Sequence, residues 1–325
     1  MRRKLRKILF VIMYYTGITA LFYQINREKQ RILVFHHIIP DHCSNNSFEQ
    51  SIVCTTKGRF KELMEQVNKR FRIVTDAGVP GTAMITFDDG YRAALNAADV
   101  LEYFGNKCVI FMPVNAVGAE ALWIDRIMAW FAYVPDNTYK INGVVCDLHD
   151  TNSRQKAYSV IIDSLYKMGS YIPGTIIEEL DELFPFADLN IPEEYYSFRF
   201  RGLTSSEIDR LKEAGHKFGG HSVSHDILSC LTEDELHRDF QICSSGMNTL
   251  YNSDIYAYPF GHQRDVNEAT YRMLEKSAFN YGVMNESVKD EKNYCLSRIN
   301  ISHYDNKYEI DAALSGLTFW LKSIF

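Results

Sequence analysis

Two aspartates stand side by side in Thr86-Phe87-Asp88-Asp89-Gly90, and two histidines stand four residues apart in His221-Ser222-Val223-Ser224-His225. Carboxylate and imidazole groups are what hydrolysis at a divalent cation uses. Nitrogen and oxygen ligands fix the ion, one position stays open for water, and a carboxylate outside the ligand set takes a proton from that water. Each pair also has an ordinary reading: Asp-Asp-Gly makes a common polar turn, and surface histidines fall four apart by chance. Taken together they give a two-histidine, one-carboxylate set with room for water. A third segment, Tyr256-Ala257-Tyr258-Pro259-Phe260-Gly261, ends in a rigid turn that can present a backbone N–H to a developing oxyanion. Its ordinary reading is a tight turn carrying a core aromatic.

Strands must place these segments. From residue 31 onward, short apolar runs alternate with helical periodicity, the pattern of parallel strands joined by crossover helices. The expected strands are Ile32 to Phe35, Ala83 to Phe87, Val109 to Met112, Lys217 to Gly220, Ile255 to Tyr258, Tyr281 to Met284 and Leu296 to Ile301. Seven such runs suit a barrel or an open doubly wound sheet, and both put their chemistry at the carboxyl ends of strands, where all three segments fall. Phe60, Leu63, Met64 and Val67 share one helix face, as do Leu236, Phe240, Cys243, Met247 and Leu250. Capping boxes are predicted at Thr204 with Glu207, Thr232 with Glu235 and Thr175 with Glu178, and Gly105 and Gly215 sit where helices should stop. Between about residues 118 and 200 the rhythm breaks into helical patches separated by Pro135, Pro173, Pro185 and Pro192, which reads as a mainly helical insertion.

Composition narrows the partners. With 325 residues and 46% hydrophobic content the chain can bury a large core, so it is globular. Its net charge is −6, and setting aside the five positive charges of Arg2, Arg3, Lys4, Arg6 and Lys7 leaves −11 on the rest, which argues against nucleic acid. The seven cysteines show no CxxC spacing and read as buried apolar thiols. Residues 1–30 form a basic and hydrophobic segment in which Ile8 to Ile25 is mostly apolar. As one helix it would span about 27 Å, marginal for a bilayer core, so an anchor or interfacial helix at a membrane is the expectation for residues 1–25, with a helix docked on the body as the alternative.

The motifs TFDDG, HSVSH and YPFG, in this order, resemble those of the polysaccharide deacetylase family, which includes chitin and peptidoglycan deacetylases. Phe35-His36-His37, the stretch Leu203 to Leu231, and Ala121-Leu122-Trp123-Ile124-Asp125-Arg126 extend the resemblance, the last being similar to members acting in exopolysaccharide biosynthesis. The resemblance implies a distorted (β/α) barrel of about seven parallel strands over residues 31–325. It implies a divalent metal, zinc foremost, held by Asp89, His221 and His225, with Asp88 as general base and the Phe260 amide at the oxyanion. The implied substrate is a glycan containing N-acetylhexosamine, handled at the bacterial inner membrane. Two positions depart from the family pattern. The usual arginine two residues before the motif's proline is Ala257 here, with Arg298 as its expected replacement. The usual Leu-x-His region reads Leu296-Ser297-Arg298-Ile299, which leaves His303 as the nearest candidate acid. These departures also suggest a competing reading, a degenerate member that grips glycan without turnover. A glycosyltransferase metal at Asp88-Asp89 is opposed by the paired imidazoles, since such sites favour oxygen ligands.

Overall fold

A computed structural model describes residues 2–43, 48, 54–167 and 173–324. Its centre is a parallel sheet of short, mostly buried strands: β1 (Arg31–Phe35), β2 (Ala83–Phe87), β3 (Val109–Met112), β4 (Lys217–Gly220), β5 (Ile255–Ala257), β6 (Tyr281–Met284), β7 (Leu296–Ser297) and β8 (Ile299–Asn300). The order is β7-β6-β5-β4-β3-β2-β1-β8. Strands covered on both faces read as continuous apolar runs, which is why Ala-Met-Ile-Thr-Phe and Val-Ile-Phe-Met were legible. The first and last members of this order belong to one stretch of chain, so the sheet closes into a distorted barrel. The run expected as a single strand, Leu296 to Ile301, is divided at Arg298: Leu296 and Ser297 pair with Val283 and Met284 of β6, whereas Ile299 and Asn300 pair with Leu33 and Val34 of β1. Tyr258 lies just past β5 rather than inside it.

Alternation along each strand sorts side chains between two cores. Ile32, Met84, Val109, Phe111, Ile255, Ala257 and Val283 fill the barrel interior, while Leu33, Ile85, Phe87 and Ile110 join the larger core beneath the helices. Met84, Thr86 and Asp88 share the inward parity, so Asp88 sits above the packed interior at the rim. Gly219 and Gly220 meet the requirement of close approach in β4: a Cβ on Gly219 would lie 2.5 Å from the Ile255 carbonyl oxygen, and one on Gly220 2.6 Å from the Phe279 ring.

The helix Lys57–Asn68 buries Phe60, Leu63, Met64 and Val67 as its period requires. Thr204 and Thr232 form capping boxes with Glu207 and Glu235. Thr175 does not cap a helix, because the helix Pro173–Leu183 already starts two residues earlier; proline tolerates the first helical turn, where its missing N–H has no partner to lose. The insertion holds the helices Trp123–Tyr133, Thr151–Lys167, Pro173–Leu183 and Glu193–Arg199, and also an antiparallel hairpin, Thr138–Ile141 with Val144–Asp147, that periodicity had not revealed.

The N-terminal run is two helices, Arg2–Tyr15 and Ile18–Ile25, bent by 73°. Gly17 carries the bend with φ of +80°. No single described helix is long and apolar enough to cross a membrane. Phe10 packs with Ala312 and Leu317, Asn26 donates to the Ser315 carbonyl at 3.0 Å, and Arg6 pairs with Glu309 at 2.8 Å. The helix Lys307–Ser315 is therefore the platform on which the N-terminal pair docks.

Candidate active site at the barrel mouth

The Asp-Asp-Gly turn follows β2, the His-Ser-Val-Ser-His turn follows β4 and the Pro-Phe-Gly turn follows β5, so parallel topology delivers all three to one end of the barrel. Asp89, His221 and His225 converge: His221 Nε2 is 3.4 Å and His225 Nε2 3.3 Å from Asp89 Oδ1, and all three side chains are buried. Their ligand atoms lie within 4.8 Å of one another. His221 Nδ1 donates to the Ala257 carbonyl at 2.8 Å, which fixes the tautomer and turns the Nε2 lone pair toward Asp89. His225 is held edge-on against Phe260, ring centroids 4.8 Å apart, and its backbone carbonyl accepts from the Trp123 indole at 3.1 Å.

These residues fit a divalent cation. Asp89 Oδ1, His221 Nε2 and His225 Nδ1 are buried with no hydrogen-bond partner. A buried polar atom left unsatisfied costs about 1–3 kcal/mol, and two imidazoles with a carboxylate form a donor set that a borderline metal satisfies. Burial works against charge on Asp89, yet the two imidazoles outweigh it and hold the carboxyl well below the usual range. The same pairing raises His225 against the opposing effect of burial.

Asp88 points the other way. Its two oxygens accept hydrogen bonds from Arg298 Nη1 and Nη2 at 2.6 and 2.7 Å, and Arg298 Nε donates to the Met284 carbonyl at 3.1 Å. Burial raises the Asp88 carboxyl, but the guanidinium charge and its two bonds overcome that and bring it below the ordinary value. Arg298 reaches the carboxylate from the interruption between β7 and β8, where the residue belongs to neither strand ladder.

Phe260 sits in the left-handed region with φ of +59°, as do Asp89 (+72°), Ser222 (+60°) and His225 (+60°). Non-glycine residues held there cost of order 1–3 kcal/mol each. The Phe260 N–H pairs with no acceptor among the described residues. His303 is placed elsewhere: it lines a small cavity with Phe35, Thr55 and Arg59, and its Nδ1 is buried without a partner. Among the described interactions none joins it to Asp88 or Asp89. His36 is the imidazole nearest the base, with Nε2 4.0 Å from Asp88 Oδ2. His37 is buried against Tyr91, ring centroids 5.0 Å apart, and burial drives its pKa well down.

Two buried carboxylates brace the site, and the motifs alone had not singled them out as supports. Asp125, from the insertion, accepts from Tyr91 Oη at 2.5 Å and from Arg199 at 2.6 Å, which ties the Asp-Asp-Gly-Tyr turn to the insertion. Asp239 accepts the Val223 N–H at 2.8 Å and so holds the loop between the two histidines. Burial pushes the Asp239 carboxyl up to about 7. Its sequence signal was a carboxylate on the same helix face as Leu236, Phe240 and Cys243.

Comparison with known proteins follows the same line. Residues 165–281 match the family model for polysaccharide deacetylase. A search of curated proteins found no match. Among solved structures, a polysaccharide deacetylase from Bacillus cereus superposes with a TM-score of 0.54 at 14% identity, covering 88% of this chain and 69% of that one. A Streptococcus pyogenes deacetylase in complex with acetate gives 0.52 at 15% identity, covering 85% and 93%. A de-N-acetylase from Aggregatibacter actinomycetemcomitans gives 0.52 at 11% identity, covering 87% and 99%. The resemblance carried by the motifs is thus met both by a sequence match and by a shared (β/α) barrel fold.

Proposed function

We propose that this chain is a metal-dependent deacetylase that removes acetyl groups from N-acetylhexosamine units of a surface polysaccharide or exopolysaccharide, working at a membrane, foremost the bacterial inner membrane, through residues 1–25. The observation that carries this reading is the division of labour between adjacent carboxylates: Asp89 faces two imidazoles, and Asp88 faces a guanidinium. A divalent cation held by Asp89, His221 and His225, zinc foremost, would supply Lewis acidity and a lowered pKa for water.

The chain's own groups account for the remaining steps. Asp88, kept ionised by Arg298, accepts the proton of the water that adds to the acetamide carbonyl. The Phe260 N–H is aimed from a fixed turn and stabilises the oxyanion that develops. As the carbon–nitrogen bond breaks, the leaving amine takes a proton, and His36 is the imidazole whose position suits that transfer; His303 stands outside the cluster. The products are acetate and a free amine on the sugar. Trp123, against Phe260 with ring centroids 5.9 Å apart, offers an aromatic face for a pyranose ring at the edge of the site.

The test is acetate release from N-acetylglucosamine oligomers or a cognate glycan by the full chain loaded with zinc. Failure with every such glycan, with metal demonstrably bound, would favour the glycan-gripping reading without turnover.

A further inference from the structure

A groove of about 720 Å³ lies beside the barrel mouth and shares Arg298 with the catalytic pair. One end is polar and belongs to the site, lined by Arg298 and Asn300 at the carboxyl ends of the closing strands. The other end is made by the N-terminal helix and the C-terminal helix Leu317–Ile324, where Leu9, Phe10, Phe319 and Leu321 form an apolar strip with Arg6, Glu309, Thr318 and Lys322 beside it. The apolar strip itself cannot hydrogen-bond sugar hydroxyls, and burying hydroxyls against it is costly.

The helix that supplies this wall has two apolar faces. Phe10 and Met13 pack on the body, whereas Leu5, Ile8, Leu9 and Ile12, spaced i, i+3, i+4 and i+7, remain 43–58% exposed. Leu21, Ile25 and Trp320 are likewise exposed, at 58%, 64% and 49%. Exposed apolar side chains on a segment whose sequence opens with the basic run Arg2-Arg3-Lys4 suit the boundary of an anionic bilayer, where cations meet headgroups and aliphatic side chains enter the acyl region. Leu9 belongs to both features, since it lies on the exposed stripe and in the groove.

We infer that the substrate is an amphiphile, a lipid-linked N-acetylated sugar whose apolar anchor lies along Leu9, Phe10 and Phe319 while its sugar reaches Asp88. This rests on the deacetylase reading and deepens it. The groove has Leu9 of the exposed stripe at one end and Arg298, which grips Asp88, at the other, so an anchor held in the bilayer can present its headgroup to the site without leaving the lipid.

The experiment compares di-N-acetylchitobiose with its dodecyl glycoside, both below micelle concentration and free of vesicles, on metal-loaded full-length chain. Binding is measured on the Asp88→Asn variant and acetate release on the otherwise native chain. Transferring even two methylenes out of water suffices for a ten-fold gain, so the dodecyl glycoside should bind at least about ten-fold more tightly. Leu9→Glu should abolish that advantage while release from free chitobiose persists. Ile8→Glu, on the same helix but outside the groove, should keep it. Equal affinities, or an advantage indifferent to Leu9→Glu, overturns the inference. So does a longer chitooligosaccharide that gains as much as the dodecyl chain and loses it in Leu9→Glu, because the groove would then hold sugar units. A dodecyl preference that depends on Leu9 without acetate release would sink the deacetylase reading and leave the groove assignment standing.

Discussion

Across 210 positions of chain, the Arg298 guanidinium grips both oxygens of the Asp88 carboxylate. The pair is buried, so its members depend on one another: an isolated carboxylate there would be driven toward its neutral form. Asp88→Asn should therefore keep bound metal and lower kcat by about a hundred-fold or more. Arg298→Gln should act differently. With the cation gone, burial raises the Asp88 pKa, and because the base works only when ionised, the acid limb of kcat/KM moves to higher pH. A pH–rate profile separates the two, and an unmoved limb in Arg298→Gln would remove Asp88 from the role of base.

Metal binding should register in stability as well as in activity. Ligands that meet only in the folded state tie binding to folding, and metal at a hundred times its Kd adds about 2.7 kcal/mol. Chelation should lower Tm and abolish acetate release, with zinc restoring both. His221→Ala and His225→Ala should melt at the same temperature with and without metal. If their Tm values respond to zinc as the native chain does, the ion is bound elsewhere.

His36→Gln should lower kcat, with metal content unchanged. His303→Gln, in its separate cavity beside Arg59, should leave kcat within about two-fold of native, as a change remote from the reacting atoms ordinarily does. The opposite ranking would return the acid role to His303.

Asp239 gives a pH signature of its own. Its folded pKa is raised by burial to about 7, above an unfolded value near 3.9. The associated stability is fully present below the unfolded value and is lost as pH rises through the folded one, so the window is roughly pH 4 to 7. Asp239→Asn removes the titration and can still accept the Val223 N–H. It should melt above the native chain at pH 8, with the gap closing as pH falls to about 4. Parallel melting curves across that range would mean the carboxyl does not titrate there.

What the sequence disclosed and what it withheld follow physical lines. Asp88, Asp89, His221 and His225 were legible because each sits beside a buried strand whose apolar run announces itself, and parallel topology sends such ends to one rim. The interruption at Arg298 was not legible, because it is a change of partner from β6 to β1 and leaves no mark on local hydrophobicity. Thr175 and Glu178 imitate a capping box inside a helix that has already begun two residues earlier at Pro173. The N-terminal run reads as one apolar stretch, yet Gly17 turns it by 73° onto the body. His303 is close to the last strand in sequence, whereas it lines a separate cavity with Arg59.

The seam between β7 and β8 ties catalytic competence to ring closure. Each of these strands contributes only two residue pairs to its neighbour, whereas β1 and β2 share five, and only β4 with β5, at one pair, is joined more thinly, so the seam is among the places where local opening should come early. The guanidinium that governs the base is carried by the seam itself. A chain fraying there would lose its orienting cation while most of its tertiary structure persisted, and on gentle heating, activity should fade before circular dichroism registers any melting.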